Sequence, residues 1–178
     1  MRLTTLVSGL VLLAAPVAFA SDDNSLIADA RATVQTFKKK DSHIEKFFGS
    51  AVGYVVFPTI AKGGFVVAGA GGDGILFLGG QAVGKSSMGQ ASVGLQLGGQ
   101  TYSEIIFFEN ASTLNAFKKG NFALAAQASA VALSAGAAAT ANYENGVAIF
   151  TATKTGLMYE ASVGGQKFGY QPFGAHKK

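Results

Sequence analysis

The chain has no cysteine and no tryptophan, only three prolines and two histidines, and charged side chains make up just 13% of its 178 residues. Each shortage excludes something. Without cysteine there is no disulfide, no thiolate metal site and no lipoprotein acylation at a leader-peptide junction. With only His43 and His176, and no HExxH spacing, a metal centre has too few soft ligands. The usual charged fraction is about a quarter, so this chain has little charge with which to recognise a polyanion. Nucleic-acid binders carry a denser basic footprint with aromatics between the charges, and that class is set aside.

What is present is glycine, alanine and phenylalanine. Fourteen of the 24 glycines fall between Gly53 and Gly99, among apolar runs such as FVVAGA and GILFL. Residues 1–20 read as a separate segment. Arg2 gives a positive start, LVSGLVLLAAPVAFA an apolar run, and Ala18-Phe19-Ala20 a small-x-small cleavage site. The expected product is residues 21–178, a single domain with its core at about 30–170. It is expected to be exported by a bacterium, most simply to the periplasm, with no transmembrane helix after cleavage. Without Arg2, thirteen Lys/Arg face ten Asp/Glu, a mild positive excess.

Residues 22–48 carry a helical pattern. Leu26, Ala30, Val34 and Phe37 recur at helical spacing, Asp22, Asp23 and Asn24 suit the start, and Lys38, Lys39 and Lys40 suit the negative end of the dipole. From Tyr54 the period changes. Gly63-Gly64, Gly71-Gly72 and Gly79-Gly80 are spaced by eight, which predicts strands of about six residues joined by two-residue turns. YVVF should stop at Pro58. Asp73-Gly74 reads as a further hairpin turn. SEIIFFE reads as a strand with Glu104 and Glu109 as its solubilising ends. Asn110 then caps a short helix ending at Lys118-Lys119-Gly120. The alanine-rich segment 123–141 is assigned to strand, and residues 146–170 to two strands joined at Lys154-Thr155-Gly156. The expected fold class is α+β: an antiparallel β-rich sheet or barrel of short Gly-turned strands, with N-terminal helices and one later short helix.

Two nucleotide-binding patterns occur by letter. Gly69-Ala-Gly71-Gly-Asp-Gly74 fits G-x-G-x-x-G, and Gly79-Gly-Gln-Ala-Val-Gly84-Lys85-Ser86 fits the P-loop. Both chemistries need a helix to begin at the glycine turn, because its free amides hold the phosphates. Here ILFLGGQ follows the first pattern and SMGQASVGLQLGG follows the second, and neither supports a helix. No nucleotide, cofactor or metal is therefore expected, and no catalytic residue is assigned. Glu104 and Glu109, an odd number apart, would face opposite sides of a strand and make a poor acid–base pair.

The run Gly53-Tyr-Val-Val-Phe-Pro58, followed by Ala61-Lys62-Gly63-Gly64-Phe65, resembles the SYLF family. The resemblance continues through Gly80-Gln81-Ala82-Val83-Gly84, the segment from Ala91 to Gln100, the strand at Ile105–Phe108 and the pair near Ala148–Phe150 and Thr155–Leu157. It covers about residues 30–170. It implies a non-enzymatic lipid-binding module, since eukaryotic members bind phosphoinositides and yeast relatives bind actin filaments. Neither ligand suits a bacterial periplasm, so anionic phospholipid at a membrane surface is the expected partner. The resemblance and the charge pattern together nominate Lys38, Lys39, Lys40 and Lys62 as lipid-binding residues, with the amphipathic N-terminal helix beside them. The alternative is a structural or protein-interaction module of the cell envelope.

Overall fold

A computed structural model describes residues 21–63, 67–93, 100–120, 130–155 and 166–174. The leader-like segment 1–20 lies outside them. A long helix α1 (Ser21–Lys40) leads through a 3₁₀ turn (Ser42–Ile44) into a short helix α2 (Glu45–Ser50). The sheet strands are β1 (Gly53–Gly63), β2 (Val67–Leu78), β3 (Gln81–Val93), β4 (Gln100–Phe108), β5 (Ala130–Ala132), β6 (Val147–Thr155) and β7 (Gln166–Pro172). Helix α3 (Ala111–Lys118) follows β4, and α4 (Ala137–Thr140) follows β5. The strand order is β5-β6-β4-β1-β2-β3-β7. Every pairing is antiparallel except β5 beside β6. The α+β class with N-terminal helices and a later short helix, α3, is as the sequence predicts; α4 is additional.

The strands are not short. β1, β2 and β3 run 11, 12 and 13 residues, about twice the expected length. Only one of the glycine pairs is a described turn. Gly79 and Gly80 have φ of +54° and +78° and join Leu78 to Gln81. Positive φ at both central residues is what a two-residue hairpin requires. Gly71, Gly72, Asp73 and Gly74 instead sit inside β2, opposite Gly89, Met88, Ser87 and Ser86 of β3. Gly72 and Gly74 are glycines for space. A Cβ on Gly72 would stand 2.4 Å from the Thr59 carbonyl, and one on Gly74 would stand 2.6 Å from the Phe57 ring. β1 crowds β2 there, beside a register slip between Val56 and Ala61, a bulge that also accommodates Pro58 within the strand. Pro58 does not end β1; its carbonyl accepts a 2.7 Å bond from Ser103 Oγ.

Both nucleotide patterns are thus strand and hairpin turn. The first lies in β2. In the second, Lys85 and Ser86 lie in mid-β3, with Lys85 Nζ 2.9 Å from Asp73 Oδ2 across the ladder. No helix N-terminus is presented at either.

The sheet is strongly curled. From β4 to β7 there are four strand spacings, about 19 Å if flat. Yet Gln166 Nε2 of β7 donates to Glu104 Oε2 of β4 at 3.2 Å. Phe168 of β7 meets Phe57 of β1 at 5.9 Å between ring centroids and Phe117 of α3 at 5.4 Å. The concave interior holds Val55, Phe57, Leu76, Ile106, Phe108 and Phe168, among others, with α3 against it. The opposite face, with Val56, Ile75, Phe77, Ile105, Phe107 and Phe150, is covered by α1, α2 and the 3₁₀ turn.

Three further expectations are corrected. Residues 130–140 are mixed: β5 is strand, but α4 is helix, entered through Gly136 at φ +83°. Residues 123–129 of that segment lie outside the described residues. The join expected at Lys154-Thr155-Gly156 is not a turn at its first two residues, since β6 runs through Lys154 and Thr155; residues 156–165 lie outside the described residues, and β6 pairs with β4 and β5 while β7 pairs with β3. Glu104 is not a solubilising end, because the curl buries it completely (0% exposed), whereas Glu109 is exposed. The helix expected at Asn110 is present. Asn110 Oδ1 accepts from Thr113 N at 3.0 Å and Thr113 Oγ1 at 2.9 Å, and Gly120 at φ +70° follows its end.

Candidate functional site

The apolar stripe of α1 explains how the site is placed. Ala30, Thr33, Val34 and Phe37 are buried against the sheet, and the helix packs on β1 and β2. That stripe is therefore occupied. What α1 offers to the outside is its polar side, with Arg31, Gln35, Lys39 and Lys40 exposed.

Asp41 fixes the turn that follows. Its Oδ1 accepts from His43 N at 3.0 Å and lies 2.8 Å from His43 Nδ1, while its Oδ2 accepts from Ala138 N at 2.7 Å. The Ala138 amide is the chief reason its carboxyl sits below the ordinary range; burial opposes this and the His43 contacts reinforce it. One side chain thus caps the 3₁₀ turn and ties it to α4. Lys46 Nζ adds a second tie, donating to the Ala139 and Ala141 carbonyls at 2.9 and 2.8 Å.

Two cavities flank α1. The larger, about 480 Å³, opens between α1, α2 and the β2–β3 turn. Val34, Phe48, Ala51, Tyr54 and Phe77 give it an apolar wall, and Arg31, Gln35 and Lys38 line it from α1. The aromatic wall is ordered by contact: Tyr54 stacks on Phe77 at 5.2 Å and 16°, and Phe48 meets Tyr54 edge-on at 4.9 Å. Both cations lie over rings, Arg31 Cζ 5.4 Å from the Phe77 centroid and Lys38 Nζ 4.7 Å from that of Phe48. Burial raises the Tyr54 hydroxyl's pKa, and the Arg31 charge partly offsets that. Lys38 is also paired with Glu45 at 2.9 Å. Among the described residues, no carboxylate lines this cavity.

The smaller cavity, about 280 Å³, lies on the other flank, where Asp29, Thr36 and Lys40 face Thr59, Ser103 and Lys154. Lys154 Nζ donates to Thr59 Oγ1 at 2.9 Å. Asp29 gives this site both signs of charge, so it is the poorer receptor for an anion.

The four predicted lysines are thereby distributed. Lys38 lines the larger cavity, Lys40 the smaller, and Lys39 is exposed at the end of α1. Lys62 lies near the end of β1, opposite Ala70 and Gln100, with its side chain outside the described residues.

The concave interior holds a second group of polar side chains. Glu104 and Thr151 are cross-strand partners, and Gln166 reaches Glu104 across the curl. Glu104 Oε1, Thr151 Oγ1 and Gln166 Oε1 have no hydrogen-bond partner among the described residues. Loss of solvent pushes the Glu104 carboxyl up to about 7, moderated by the Gln166 bond. The neighbouring Tyr102 hydroxyl is raised as well, first by burial and then by the Glu104 charge. No group of three or more His, Cys, Asp or Glu is placed to hold a metal among the described residues.

Arg31, Phe48 and Phe77 escaped the sequence reading. Arg31 sits seven residues, two helical turns, before Lys38, a spacing that puts both on one helix face. That periodicity was the available signal.

The fold defines the class first: an α+β protein whose long, curled, mostly antiparallel sheet carries a helical cover and encloses no recognisable catalytic constellation among the described residues. The chain is similar to the Ysc84 (SYLF) family over just under half of its length. The family described as Ysc84, Las17-binding protein actin regulator, matches residues 89–171, and the SYLF resemblance is borne out. Beta cell expansion factor A of Aeromonas veronii is similar, 27% identical over 140 residues, covering 77% of this chain and 52% of that protein. The chain thus spans about half the length of this curated relative. Among the described residues, no helix is long and apolar enough to cross a membrane.

Proposed function

We propose that this protein is a non-enzymatic lipid-binding protein that contacts anionic phospholipid through basic side chains of α1. Residues 1–20 act as a cleaved export signal, residues 21–178 form one domain, and the protein works in the periplasm at a membrane surface. The observation that carries the reading is the larger cavity, which sets a cationic rim beside an aromatic wall with no carboxylate in its lining among the described residues. That is the polarity of a site for a molecule with an anionic head and an apolar body. Lys38, Lys39, Lys40 and Lys62 are the proposed headgroup contacts, each adding about 1 kcal/mol near an anionic surface. Because the apolar stripe of α1 faces the sheet, the helix meets lipid with its polar side and does not insert by that stripe.

The test is flotation with vesicles containing phosphatidylglycerol or cardiolipin. Binding should weaken with salt and fall in a variant with Lys38, Lys39 and Lys40 all changed to Gln. Undiminished binding by that variant removes α1 from the site. A second reading follows from the family description as Las17-binding: a protein-interaction module of the cell envelope. A stable oligomer or partner complex with no vesicle affinity would favour it.

A further inference from the structure

We propose that the larger cavity takes the single chain of one anionic amphiphile, with its charged group held by Arg31. This deepens the lipid reading and rests on it, but it makes a separate claim: occupancy inside the fold, one molecule per chain, as opposed to contact across a surface.

The charge at the rim is unequal. Lys38 is already engaged by Glu45 at 2.9 Å. Arg31 has no ion-pair partner among the described residues; its contact is the Phe77 face at 5.4 Å. A guanidinium laid over a ring keeps its N–H edge free for a carboxylate or phosphate, which it matches in a planar, two-pronged fashion. Arg31 is thus the rim cation with spare capacity, and the apolar wall begins directly beneath it.

The walls fit a chain. Val34 comes from α1, Phe48 and Ala51 from α2 and its end, and Tyr54 and Phe77 from β1 and β2. Stacking and edge contacts hold the three rings to one another, so the wall stands without a ligand to order it. At about 480 Å³ the cavity lies in the usual range for a small-molecule site. Gly79 and Gly80 complete the lining, and a Cβ on either would meet nothing within 4 Å, so the turn leaves that side open. A headless apolar molecule would leave Arg31 unmatched, and a bare anion would leave the aromatic wall wet. An anionic amphiphile satisfies both.

The experiment is calorimetric titration of the full chain with laurate below its micelle concentration, with native mass spectrometry for stoichiometry. Monolaurin and inorganic phosphate are the comparison probes. One laurate should bind per chain, monolaurin about tenfold more weakly, and phosphate not measurably at the same concentration. Arg31→Gln should weaken laurate about tenfold, Arg31→Lys should recover most of that loss, and Lys119→Gln, exposed and outside the cavity lining, should leave it unchanged. Arg31 is exposed on the helix, so these variants keep the fold, which circular dichroism verifies. Absent laurate binding, several laurates adsorbed per chain, or an affinity unmoved by Arg31→Gln would each overturn the proposal. Vesicle binding that survives a failed laurate titration overturns the internal site and leaves the surface reading standing. Laurate binding without vesicle binding supports the internal site and overturns the surface reading.

Discussion

The two faces of β4 are built to opposite rules although they alternate along one strand. Ile105 and Phe107 face the helices, and Phe107 lies within 6 Å of the rings of Phe47, Phe48, Tyr54 and Phe150. Tyr102, Glu104, Ile106 and Phe108 face the concave interior, where Glu104, Thr151 and Gln166 keep polar atoms away from water. The helix-covered face stabilises by apolar burial and ring packing. The interior pays part of its gain back, because a buried polar atom without a partner costs about 1–3 kcal/mol. One face therefore supplies stability and builds the cavity wall, while the other makes stability depend on pH.

The largest expected effect breaks the first face. Phe107→Ala should cost about 3–5 kcal/mol, read as a lower urea midpoint, because four neighbouring rings lose their shared contact. It should also weaken lipid binding, since Tyr54 and Phe48 lean on that ring.

Next comes the interior. The folded Glu104 holds its proton up to about 7, above its ordinary 4.5. The native state therefore binds more protons than the unfolded chain between those values, and stability falls as pH rises through that window. The loss should approach about 3 kcal/mol and level off above neutrality. Glu104→Gln should flatten this slope and raise stability at pH 8. Asp41 runs the other way. Its carboxyl is depressed, chiefly by the Ala138 amide, so its contribution is present at neutral pH and lost as pH falls below its ordinary 3.8. The Glu104→Gln variant should keep that acid limb. Denaturant midpoints across pH 3–8 measure both.

A smaller effect tests where the faces meet. Gly74→Ala should cost about 1–3 kcal/mol, because its Cβ would press on the Phe57 ring and the Val56 carbonyl. Were Gly74 a turn residue with open space around it, the change would be nearly neutral. Smallest of all, Lys38→Gln should shift stability by less than about 1 kcal/mol, since the Lys38–Glu45 pair is partly exposed.

Local physics made much of this legible in the sequence. The α1 stripe, the Asn110 cap and the Gly79-Gly80 turn are set by nearest neighbours, and each stands where the pattern put it. The missing helices after both phosphate-like motifs were equally readable. Gly72 and Gly74 were not, because those glycines answer to the close approach of another strand at Val56 to Ile60. Glu104 was misjudged for a related reason. Glutamate is usually exposed, and only the curl that brings Gln166 across four strand spacings buries it. For the site, the basic end of α1 was visible, but Arg31 acquires its role from Phe77, forty-six residues away in sequence.

The most direct measurement is the partition of the wild-type protein onto phosphatidylcholine vesicles doped with increasing phosphatidylglycerol, at low and high salt. Binding should rise steeply with the anionic fraction and fall when salt screens the basic rim of α1. Equal binding to neutral and anionic vesicles, or none to either, would contradict a lipid-binding function based on charge.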